Sequence, residues 1–82
     1  MPGTVIFTRH VLEQATSRGI TRDEIVATLT HPDSLLASTG GKSIARKRHG
    51  KHLLRVVHLV DPSGEIIIIT AYETSKMEKY EP

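Results

Sequence analysis

Apolar positions along this chain change period once. The change divides a helical first part from a strand-rich second part. Val5-Ile6-Phe7 is a short apolar opening, readable as a strand or as an extended arm. Thr8 is placed to cap a helix through Arg18, with Val11, Leu12 and Ala15 on its apolar face and Gly19 ending it. Thr21-Arg22-Asp23-Glu24 has the spacing of a capping box, in which Thr21 caps and Glu24 reaches back. A second helix follows, with Ile25, Val26 and Leu29 expected inside. His31-Pro32-Asp33 stops it, because the residue before proline avoids helical geometry.

From there the pattern is strand-like. Leu35–Ser38 is a short strand candidate and Gly40-Gly41 a turn. Ser43–His49 and Leu53–Val60 are two strands joined by a hairpin at Gly50. Asp61-Pro62-Ser63-Gly64 fits a type I turn. Glu65–Tyr72 is the last strand. Its unbroken Ile66-Ile67-Ile68-Ile69 predicts a strand covered on both faces. Thr74–Tyr80 is a polar tail with room for a helical turn. The expected fold is α+β, in the order α-α-β-β-β-β. The two helices pack on one face of a four-stranded, mainly antiparallel sheet, and the other face is left open.

Size and composition narrow the classes. The chain has 82 residues, which fits a single domain over 1–82. A domain of this size buries about 60–65% of its unfolded surface. Cysteine is absent, so a disulfide framework and a thiolate metal site are excluded. No stretch reads as a signal peptide or a bilayer span, which makes the cytoplasm the expected compartment and a membrane partner unexpected.

Charge changes the picture more. Gly41–His58 holds six of the eleven basic residues, and no acid lies between Asp33 and Asp61. That stretch therefore carries +6, while the five other basic residues and nine acids give the rest −4. The net charge of +2 conceals this segregation. Rows of guanidinium groups held on strands suit phosphate oxygens, which makes nucleic acid the first partner to consider. The plainer reading is an edge hairpin kept soluble by its charges.

Individual residues refine both readings. Arg46 and Arg48 share one strand face, as phosphate stabilisers or as solvated arginines. Lys47 points to the opposite face and snorkels to its rim if the helices cover it. Arg55 sits among apolar neighbours, as a site residue or as half of a buried ion pair. Lys42, Lys47, His49, Lys51, His52, Arg55 and Lys76 are the candidate RNA-binding residues. His10 lies in the first turn of the first helix, where the helix dipole favours a neutral imidazole that can accept a proton. Surface exposure is its plain alternative. His58 reads as a satisfied core or sheet-face histidine. Tyr72 and Tyr80 are candidates for proton transfer or base stacking. His49 and His52 lack the ligand pattern of zinc sites, so no metal is expected.

Thr8-Arg9-His10 with Arg18-Gly19-Ile20, Ala45–Arg48 leading into Leu54-Arg55-Val56-Val57, and Ile68-Ile69-Thr70-Ala71-Tyr72 with the tail to Tyr80 together resemble the RelE/BrnT superfamily of small bacterial toxins. The likeness is closest to its short uncharacterised domains of unknown function. Tyr72 stands where BrnT-like toxins usually carry arginine. The resemblance implies a RelE-like fold and a metal-independent endoribonuclease of a type II toxin–antitoxin system, with no cofactor. Its partners would be RNA, such as ribosome-associated mRNA, and a cognate antitoxin. His10, Arg46, Arg48, Tyr72 and Tyr80 would form the catalytic set. The other class is a non-catalytic module of the same fold that binds nucleic acid or protein. A sheet edge near Gly40-Gly41 could also accept a partner strand, including one from a second copy in a homodimer.

Overall fold

The computed structural model describes residues 4–74. Tyr80, Lys76 and the tail beyond Thr74 lie outside the described residues. In chain order the elements are β1 (Val5–Ile6), α1 (Arg9–Ser17), α2 (Arg22–Thr30), β2 (Ser34–Ala37), a 3-10 turn (Thr39–Gly41), β3 (Ser43–His49), β4 (His52–Val60) and β5 (Ile66–Thr74).

Both helices begin as the sequence dictates. The Thr8 hydroxyl accepts a hydrogen bond from the Val11 amide at 3.2 Å. Thr21 and Glu24 form the full capping box: the Thr21 amide donates to Glu24 Oε1 at 2.8 Å, and the Glu24 amide donates to Thr21 Oγ1 at 3.1 Å. These contacts satisfy amides that the helix ends leave without internal partners. Within α2 one expectation fails. Val26 is 38% exposed, whereas Thr28 is fully buried. Thr28 is tolerated inside because its hydroxyl donates to the Glu24 carbonyl at 2.8 Å.

The sheet has five strands in the order β1-β5-β4-β3-β2, not four. Val5-Ile6 is a true strand that pairs parallel with Ile66-Ile67, so the sheet is mixed. Two residues are too few to show a period, and this strand is defined by its distant partner alone. The three other pairings are antiparallel, as short connections require. Gly50 and Lys51 form the β3–β4 turn. Gly50 has φ +61° and Lys51 has negative φ, the pattern of a type II′ hairpin. In the β4–β5 turn the Gly64 amide donates to the Asp61 carbonyl at 2.9 Å.

One sheet face carries the core. Leu54 and Val56 of β4, with Ile66, Ile68 and Ala71 of β5, pack against Val11, Ala15, Ile20 and Ile25 of the helical layer. Each buried Val, Leu or Ile among them contributes about 1.5–3 kcal/mol. The isoleucine run does not bury on both faces: Ile66 and Ile68 are buried, but Ile69 is 36% exposed. The β4–β5 register shifts between Val57 and His58, and Ile69 is the residue of β5 left without a partner there.

The Glu24 carboxyl is held below its usual range, first by the Thr21 amide, then by the Thr21 hydroxyl and the nearby His49, against an opposing effect of burial. A depressed carboxylate contributes stability that is present above its unfolded pKa and lost as pH falls through the folded one. Thr21→Ala should therefore cost about 1 kcal/mol at neutral pH. Glu24→Gln should be less stable than wild type at neutral pH and converge with it as pH drops through the carboxylate range. Urea unfolding followed across pH checks both. A gap that stays constant with pH would assign the effect to something other than the carboxylate charge.

Candidate functional site

Strand alternation and register align a row across the face away from the core. Ser34 of β2 is the partner of Arg46 of β3. Arg46 is the partner of Arg55 of β4, and Arg55 of Tyr72 of β5. Paired residues share a face, so Ser34, Arg46, Arg55 and Tyr72 lie side by side. The Arg55 guanidinium carbon stands 5.6 Å from the centre of the Tyr72 ring, in cation–π range.

The row is not solvated. Arg46 is 1% exposed and Arg55 7%. Thus Arg46 is not a solvated strand arginine, and the far face is not open at the row. The Arg46 Nε donates to Ser34 Oγ at 2.8 Å. Among the described residues, its buried Nη1 has no hydrogen-bond partner. Like charges placed directly opposite one another weaken a sheet, and a buried unsatisfied cation is more costly still. An anion is the chemical group that would satisfy such a site.

Asp33 fixes the strand that presents these arginines. Its amide donates to the Arg46 carbonyl at 2.7 Å, and its Oδ2 accepts from the Arg48 amide at 2.7 Å. Asp33 and Ser34 were not singled out in the sequence, because their importance depends on the β2–β3 register.

The remaining candidates spread around the row. Arg48 is exposed, two residues nearer the hairpin on the same face as Arg46. Lys47 lies on the helix side as expected, where Nζ donates to the His31 carbonyl at 2.9 Å. Lys42 is half-buried just before β3. Lys51 and His52 are exposed at the hairpin tip. His49 is also exposed, and its Nδ1 stands 3.4 Å from Glu24 Oε2, an ion pair when the imidazole is protonated. His10 is exposed on α1, in the helical layer rather than on the arginine face. His58 is buried beside the core, with Nδ1 3.1 Å from the Val56 carbonyl. A carbonyl only accepts, so Nδ1 carries the proton in that contact. Among the described residues, no three His, Cys, Asp or Glu side chains gather as metal ligands. No described helix is long and apolar enough to cross a membrane.

Fold and site together define a small α+β domain with an arginine row on the sheet face away from its helices. A family model described as a domain of unknown function, DUF4258, matches residues 7–73, and the chain belongs to that family. The match spans both helices and nearly all of the sheet from α1 to β5. No curated protein and no solved structure matches the chain.

Ser34→Ala should destabilise the fold by about 1–3 kcal/mol, because it strips a buried charged donor of its acceptor. Ser34→Thr keeps the hydroxyl and should recover most of that loss. Urea midpoints of the three proteins check it, and an unchanged midpoint in Ser34→Ala would show that the bond does not hold Arg46.

Proposed function

We propose that this chain is a metal-independent endoribonuclease of the toxin class in a type II toxin–antitoxin pair, with the fold of the RelE/BrnT superfamily. The single observation that carries the reading is the apposition of Arg46 and Arg55 beside Tyr72, with a buried Arg46 nitrogen lacking a partner among the described residues. Arginine is expensive to bury and offers bidentate donors that fit phosphate oxygens.

The chemistry follows from RNA itself. Its 2′-oxygen attacks the adjacent phosphorus as its proton leaves to a base. The bond from phosphorus to the 5′-oxygen then breaks, and the departing oxygen takes a proton. The products are a 2′,3′-cyclic phosphate and a 5′-hydroxyl. Arg46 and Arg55 would offset the charge that builds on the five-coordinate phosphorus. Tyr72, at the end of the row, would serve in proton transfer. Arg48 would hold the flanking phosphate. His10 sits on the helical layer, so its part in this scheme requires RNA to reach around the sheet edge. The cytoplasm, an antitoxin and ribosome-associated mRNA belong to the same reading.

A second reading has its own observation. Arg46 is almost inaccessible, whereas Arg48, Lys51 and His52 are exposed at one hairpin. That tip could bind phosphates without cleaving them, and its affinity would fall steeply with salt.

Induced expression in bacteria of wild type, Arg48→Ala and Arg46→Lys separates the two. The nuclease reading expects growth arrest and cut RNA from wild type. It expects cleavage reduced about 10²–10³-fold in folded Arg46→Lys, which keeps the charge and loses the planar fork. Normal growth with intact RNA from soluble, folded wild type would overturn the nuclease and leave the binding module.

A further inference from the structure

A cavity of about 580 Å³ is lined by Arg18, His52, Tyr72 and Glu73. This volume is in the range of small-ligand sites. It adjoins the arginine row, because Tyr72 belongs to both. Its position follows from the topology. β1 pairs with β5 only at Ile66 and Ile67, so β5 beyond them runs along a sheet edge. Arg18, following the C-terminus of α1, closes part of that edge: its Nη1 donates to the Ala71 carbonyl at 2.8 Å. This bond holds the guanidinium plane at the cavity wall. His52, at the start of β4, adds a second flat group.

Resting on the RNA reading above, the geometry points to this cavity as a nucleobase pocket selective for guanine. A phosphate is disfavoured at the Glu73 end of the cavity, where the carboxylate would repel it and where the Arg18 guanidinium is already tied to the Ala71 carbonyl through Nη1. The uncharged part of a nucleotide is not. Unstacked RNA bases are held on arginine and histidine planes and read on their hydrogen-bonding edges. A carboxylate only accepts, through two oxygens. Guanine presents two adjacent donors on its Watson–Crick edge, N1–H and the N2 amino group, which a carboxylate can take together. Adenine and cytosine place an acceptor beside their amino group, and uracil flanks its single N–H with two carbonyls. Glu73 thus favours guanine over all three. Glu73 pairs with core-facing Leu54 and Tyr72 with Arg55, so the cavity wraps the β5 edge from the helix side to the end of the row, within reach of a base whose phosphate lies on the row.

The test is a titration of the full chain with GMP, AMP, CMP and UMP, followed by amide chemical shifts, together with binding of a short single-stranded RNA. GMP should move the amides of Arg18, His52 and Glu73 and bind about tenfold more tightly than the other three, in line with the discrimination of one bidentate contact. Glu73→Gln, at an exposed position, should level the four nucleotides. His52→Ala should weaken all four alike without changing their order. If wild type binds the RNA but shows no guanine preference, or shows it with these amides unmoved, the pocket is overturned and the RNA reading stands. A preference that survives Glu73→Gln also overturns it. If folded wild type binds no RNA and no nucleotide, the RNA reading falls and the pocket with it.

Discussion

The register of the β3–β4–β5 pairing is the constraint on which everything else rests. It places Ala45 opposite Val56 and Val56 opposite Ala71 on the core face. The same register places Arg46 opposite Arg55 and Arg55 opposite Tyr72 on the other. A slip of β3 by one residue would put Arg46 against the helices and expose Ala45. The hydrophobic core on one side therefore sets the arginine row on the other. The two-residue turn at Gly50-Lys51 holds this register from the hairpin end, and Asp33 holds it from β2. Chemistry on one face is thus fixed by packing on the opposite one.

Stability alone does not account for the row. A domain of this size has little free energy to spare. Replacing buried charged groups by apolar residues of similar volume is often neutral or stabilising. Arg46, buried beside Arg55 with Nη1 unbonded among the described residues, therefore weakens a fold that Leu, Ile or Met could complete there. Ser34 offsets part of the cost by accepting from Arg46 Nε, yet Nη1 remains without a hydrogen-bond partner among the described residues. A group kept at such a cost is a candidate for function.

Local signals were legible in the sequence and distant pairings were not. The caps at Thr8 and Thr21, the Gly50 hairpin and the Asp61–Gly64 turn are each written in a few consecutive residues, and each is found. β1 was ambiguous because a two-residue strand has no period and depends on Ile66 and Ile67 far along the chain. Ile69 was misplaced inside because a run of four isoleucines does not reveal a register shift. Thr28 escaped notice because a hydroxyl bonded to the preceding turn can occupy an apolar position. Arg46 and Arg48 were placed on one face by spacing alone. That Arg46 would be buried, opposite Arg55 and steered by Ser34, required three strands to be aligned at once.

The segregation of charge in the sequence acquires its meaning from this alignment. The basic stretch maps onto β3, its hairpin turn and β4, which carry five of its six charges, with Lys42 just before β3. Alternation then divides it. Arg46, Arg48 and Arg55 share the far face, while Lys47 is drawn to the helix side by the His31 carbonyl. Lys51 extends the same potential to the exposed tip, beside His52. Under the proposed RNA reading, a polyanion approaching from solution would meet the tip first, at the end of the sheet where Leu53 pairs with Thr74 and where His52 borders the cavity. Steering, phosphate binding and base selection would thus occupy successive steps along one sheet end. From the helical layer, Glu24 meets this hairpin through His49.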